Sequence, residues 1–104
     1  MVAVAWAVDA RRDLRDIQRF IARDSPTAAR ALVRQLKRAT ARLSRHPRIG
    51  RQVPEFSDAR TRELLVGNYR LVYRVFDDRV TVVAVWHAKR DLVKAARERG
   101  WIQN

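Results

Sequence analysis

The chain reads as an α+β fold: an N-terminal strand and a two-helix hairpin packed on an antiparallel sheet of about four strands, with a short C-terminal helix. Three observations lead there. Residues 62–91, RELLVGNYRLVYRVFDDRVTVVAVWHAKRD, hold three apolar runs divided by two short turn signals. Before them, two segments repeat apolar residues at helical spacing. A short apolar run precedes both. At 104 residues this is the material of one domain, 1–104.

Taken in order, Val2 to Val8 is the first strand, and Asp9 is placed to cap the helix after it. Ala10, Leu14, Ile17 and Ile21 form that helix's apolar stripe, with Phe20 beside it. Arg12, Arg15, Arg19 and Arg23 lie outward, partly neutralised by Asp13 and Asp16. The helix ends near Asp24. Ser25-Pro26 opens the next helix, Ser as cap and Pro in the first turn, where its missing N–H costs nothing. That helix runs to about Arg45 on a stripe of Ala29, Leu32, Val33, Leu36, Ala39 and Leu43. Pro47 stops it, Gly50 allows a sharp bend, and 52–61 is a polar connection.

Leu64-Leu65-Val66 then leads into Gly67-Asn68, a pair suited to a two-residue hairpin turn. Tyr69 to Phe76 is the middle strand. Asp77-Asp78 turns the chain into Val80 to Trp86. Strict alternation puts Leu71, Tyr73 and Val75 on one face with Val80, Val82, Ala84 and Trp86 on a matching apolar face. The helices belong there. Arg70, Arg74 and His87 fall on a mixed face, the place to look for function. Leu92 to Gly100 is a terminal helix, and Trp101 sits in a tail open to a partner.

Charge is the strongest compositional fact. The formal net charge is +12, from 23 Lys and Arg against 11 Asp and Glu. Such an excess implies an anionic partner, nucleic acid or an acidic protein. On the second helix Arg30, Arg34, Arg38 and Arg42 stand four apart, and no acid occurs between Asp24 and Glu55. Like charges at that spacing each disfavour a helix by roughly 0.2–0.5 kcal/mol, a cost that an acidic partner removes. There is no cysteine and only His46 and His87, so a thiolate or histidine metal site is not expected, nor any cofactor. No run approaches the roughly 20 apolar residues of a membrane span, and the N-terminus lacks the form of a secretory signal. The expected setting is the cytoplasm.

Three motifs in order carry a family resemblance: HPRIGRQVPE (46–55) after the second helix, REL (62–64) with YRLVYRV (69–75), and VWHAKRDL (85–92). Together they resemble the RelE/ParE toxins of type II toxin–antitoxin modules, and most closely the ParE-like branch. The resemblance covers nearly the whole chain. It implies a toxin silenced by a cognate antitoxin, an acidic, partly disordered segment that folds on it in a hetero-oligomer. ParE-like members poison DNA gyrase and have no established hydrolytic site. RelE-like members cut mRNA in the ribosomal decoding site.

The nuclease reading assigns Arg62, Arg70 and His87 to phosphate binding and proton transfer. Other parts are missing: Ala88 follows His87, no Tyr occurs after Tyr73, and the strand before YRLVY carries Glu63 where a cation is expected. The expectation is therefore a gyrase-directed toxin. Its contact residues are Arg30, Arg34, Arg38, Arg42, Arg70, Arg74, His87 and Arg90. A non-toxic binding module is the remaining alternative. Glu55 and Glu63 suggest no carboxylate pair.

Overall fold

The computed structural model describes residues 1–102. Strand β1 (Ala3–Trp6) is followed by helices α1 (Val8–Ala22) and α2 (Pro26–Arg45), strands β2 (Arg51–Gln52), β3 (Thr61–Val66), β4 (Tyr69–Val75) and β5 (Arg79–His87), and helix α3 (Leu92–Glu98). The sheet order is β1-β5-β4-β3-β2. The expected meander is there as β3 to β5, all antiparallel. Two features refine the expectation. β1 lies parallel to β5, Ala3 beside Arg79 and Trp6 beside Val82. The connection after α2 contributes a fifth strand, β2, paired with Arg62 and Glu63.

Helix α1 starts two residues earlier than the capping argument places it. Its N-cap is Ala7, which has no side chain to cap with, and Asp9 lies inside the first turn. The Ala7 N–H is bound to the Val82 carbonyl, so strand passes into helix without a spare residue. Asp9 still favours the helix there, through the partial positive charge of its N-terminus. Ser25 caps α2 as expected, its hydroxyl accepting from the Ala28 N–H at 3.1 Å. Ala29, Leu32, Leu36, Ala39 and Leu43 are buried. With Leu14, Ile17 and Ile21 of α1, the last four of these cover Leu71, Tyr73, Val75, Val80 and Val82.

Strict alternation fails once, with large effect. Val72 pairs with Ala84, but Tyr73 pairs with Val82, so Val83 is an extra residue bulged out of β5. Beyond it the side chains change phase. Val85 joins the helix-side core, while Ala84 and Trp86 face the other way. There they form a second core with Val53, Val72, Leu92 and Ala95, flanked by Phe56 and Trp101. The expected placing of Trp86 under the helices is thus corrected.

The same kink leaves the end of β5 without β1 beside it, since β1 pairs no further than Val82. Side chains replace it. Asp13 of α1 accepts from the Val85 N–H at 3.1 Å, and Arg99 donates to the Val83 carbonyl at 3.2 Å. Asp13 and Arg99 then join as an ion pair. Asp13 is therefore a tie between the two layers, not one of the outward neutralising acids.

Gly50 and Gly100 each have a specific reason. Gly50 has no positive φ, so its role is not the bend that the sequence suggested. A Cβ there would run into the Glu63 carbonyl and lie 2.6 Å from the Tyr73 hydroxyl. Its N–H donates to Tyr73 Oη at 2.9 Å, inside the core. Gly100, at φ +75°, ends α3 with bonds from Gly100 N to Arg97 O and from Trp101 N to Ala96 O. This reversal turns Trp101 back onto Trp86, with ring centroids 5.2 Å apart. Trp101 is half-buried packing, not a free tail.

Gly50→Ala is expected to destabilise the protein by about 1–3 kcal/mol, because backbone must move to admit the methyl group; urea unfolding reads this directly. Burial pushes the Tyr73 phenol above its usual range, outweighing the Gly50 hydrogen bond and the nearby Arg62 charge. A raised phenol contributes stability that is present below about pH 10 and lost as pH climbs through the folded value. Melting temperature should fall above pH 10, with a shallower fall in Tyr73→Phe.

Candidate functional site

The face of the sheet under α3 carries a line of charge. Glu63 is buried on it, its side chain 1% exposed. Its Oε2 accepts from Arg51 at 2.9 Å, and the Arg70 guanidinium stands 3.3 Å from Oε1. Arg70 also binds Glu55 Oε2 at 3.0 Å. The two glutamates, unpaired in the sequence reading, thus converge on one guanidinium nitrogen of Arg70. Glu55 arrives because Val53, 1% exposed, anchors the start of the loop in the second core. Asp58 shapes its end, accepting from the Arg60 N–H and the Thr61 hydroxyl at 2.9 Å each. Those bonds, the backbone one first, hold the Asp58 carboxyl below its usual range.

Arg74, four residues on from Arg70 and on the same strand face, extends the line. Its guanidinium lies 5.2 Å over the Trp101 ring. With Glu55, Phe56, Asp58, Thr61 and Trp101 it lines a depression of about 410 Å³. Arg90 lies just before α3, paired with Glu98 at 3.3 Å and 5.5 Å from the Trp86 ring.

His87 is elsewhere. It pairs with Tyr69 across β4 and β5, edge to face with that ring at 5.4 Å, while Arg70 pairs with Trp86. The bulge at Val83 turns His87 to the helix side, so the expected mixed face of Arg70, Arg74 and His87 does not form. His87 is exposed, its Nδ1 accepting from the Lys89 N–H at 3.1 Å. It lines a second depression, about 340 Å³, with Asp13, Asp16, Ile17, Phe20, Tyr69 and Arg90, so His87 and Arg90 of the expected contact residues do share a depression. Arg62 is on the helix side too, opposite Tyr73. It donates to the Gly50 carbonyl at 2.8 Å and holds the turn after α2. Arg62, Arg70 and His87 are therefore not brought into one site.

The row on α2 is as the spacing requires. Arg30, Arg34, Arg38 and Arg42 are all exposed. Among the described residues none of them is in an ion pair. No group of three or more His, Cys, Asp or Glu among the described residues could hold a metal, and no described helix is long and apolar enough to cross a membrane. The sequence reading missed the Glu55–Arg70–Glu63 cluster. The signal was available in part: Glu63 alternates onto the same face as Val72, and a glutamate there demands a cation.

The cluster makes one firm stability prediction. Arg70→Met removes one of two cations from a buried carboxylate and should cost about 3 kcal/mol, the low end for a broken buried pair, because Arg51 remains. A double-mutant cycle with Glu63→Gln should show clear coupling. The cycle with half-exposed Glu55 should show less.

Comparison with known proteins agrees with this fold. The profile described as ParE toxin of type II toxin–antitoxin system, parDE, matches residues 4–92. A relative named Toxin RelE2, from Caulobacter vibrioides, is 36% identical over 91 residues, spanning 86% of this chain and 99% of its own. Among solved structures, the chromosomal ParDE system of P. aeruginosa aligns with a TM-score of 0.67 at 18% identity, over 84% of this chain and 96% of that one. The RelBE2 toxin–antitoxin complex of Mycobacterium tuberculosis aligns at 0.57 and 31% identity, over 83% and 96%. The chain belongs to the ParE toxin family and is a toxin of the type II toxin–antitoxin class.

Proposed function

We propose that this toxin acts by binding rather than by hydrolysis, with DNA gyrase as its target and a cognate antitoxin as its silencer in the cytoplasm. One observation carries the reading. Arg70, the arginine a nuclease would use on the scissile phosphate, is held between Glu55 and Glu63, on the sheet face opposite His87 and Arg62. RNA cleavage by 2′-hydroxyl attack needs a base, a cation at the phosphate and a stabiliser of the leaving oxygen around one point. These three residues surround no common point. A partner-binding role needs no such convergence, and suits half-buried Arg74 and exposed Arg90 beside the Trp101 and Trp86 rings. An antitoxin partner is supported by the toxin–antitoxin complexes of similar fold.

A second reading, a ribosome-dependent mRNA endonuclease, is favoured by one observation: the relative named RelE2 is 36% identical over most of the chain. The two readings separate in two assays. Purified protein is expected to stop gyrase from supercoiling relaxed plasmid, and an acidic antitoxin peptide encoded beside it to restore the activity. In a translating extract it is expected to leave mRNA intact. Supercoiling unaffected at several-fold molar excess, with mRNA cut in a manner that Arg70→Ala abolishes, would replace the first reading by the second.

A further inference from the structure

We infer that the outer face of α2 is a track for the phosphate backbone of duplex DNA, a contact separate from the sheet face and its aromatic and charged groups. Arg30, Arg34, Arg38 and Arg42 repeat every four residues, about 6 Å apart along the axis. The row crosses the exposed side of a 20-residue helix whose other side is buried in the core. Residues 25–54 contain eight Lys and Arg and no acid. At one end Arg30 shares a depression with Arg15 and Arg19 of α1. At the other, Arg38 and Arg42 border the β3–β4 turn. Three acids of the chain are committed elsewhere, Asp13 to Arg99 and Glu55 and Glu63 to Arg70.

The composition of the row selects its partner. A peptide laid along a helix is anchored by apolar side chains in a groove, and single-stranded nucleic acid by stacking on aromatic rings. The row offers neither: between Thr27 and Arg45 there is no aromatic residue, and the apolar residues buried there face the core. What remains is a series of guanidinium forks winding gently round the helix, by about 40° per step, suited to phosphate oxygens and to a duplex carrying one charge per roughly 1.7 Å of axis. The choice of DNA over duplex RNA rests on the gyrase reading, in which the target is itself bound to DNA. A toxin holding both would engage the enzyme where it sits on its substrate.

The test is fluorescence anisotropy of a labelled 24-base-pair duplex of arbitrary sequence, with no gyrase present, across a salt series. Four phosphate contacts predict a slope near −3.6 for log affinity against log salt, or about a 150-fold loss between 50 and 200 mM. Arg34→Gln/Arg38→Gln should weaken binding about tenfold at 50 mM and halve the slope. Lys94→Gln/Arg97→Gln, which removes the same charge from exposed positions on α3, should change it far less. Equal effects of the two double variants would reduce the row to net charge and overturn the proposal. So would a wild-type slope shallower than −2, which needs no variant to fold. Tighter binding of duplex RNA, or of a poly-glutamate peptide at matched charge, would reassign the surface and overturn it likewise. Because gyrase is absent, failure here and failure of the supercoiling assay are separate results.

Discussion

One extra residue in β5 decides how this molecule is layered. With Val83 bulged out, the first half of the strand packs on α1 and α2 and the second half sends Ala84 and Trp86 to the other side. A five-stranded sheet thereby acquires two cores. The 7-residue α3 has a surface to cover, and Trp101 closes it from the side. The bulge also frees backbone groups of β5 where β1 ends. Asp13 and Arg99 satisfy them and, by pairing with each other, join the helix layer to the α3 layer. Each partner offsets the other's desolvation and takes a backbone bond besides, which is what a half-buried ion pair needs to be stabilising.

The charges divide by function of place. Acids are few, and several are committed to inward or local tasks: Asp13 at the sheet edge, Glu63 and Glu55 around Arg70, Asp58 and Asp91 in turns and caps. The outer face of α2 is thereby left positive. A positive field on one side and a packed, mixed surface of aromatics and charge on the other give a small protein two chemically different faces.

Much of the architecture was legible in residue pattern. The helix stripes, the Ser25-Pro26 start, the Gly67-Asn68 hairpin and the exposed arginine row follow from periodicity and local backbone preference, and the structure has them where the pattern puts them. The candidate site was legible less well. Period-two reasoning carries an error past any inserted residue, so one bulge moved His87, Ala84 and Trp86 to unexpected faces. Glu55 was unreadable for another reason: it reaches Arg70 across 15 positions, through a loop held by Val53.

By itself the sequence determined the element types and their order apart from the two-residue β2, the basic outer face and the resemblance of its motifs to the toxin family. Those depend on interactions within a few residues, or on composition. Only the tertiary structure decided that β1 runs parallel beside β5, that Gly50 is required for space rather than for its dihedral freedom, and that Arg70 is enclosed by two glutamates while His87 stands on the other side of the sheet. Those depend on where distant backbone segments meet, and the position of a single bulged residue sets that geometry for half a strand.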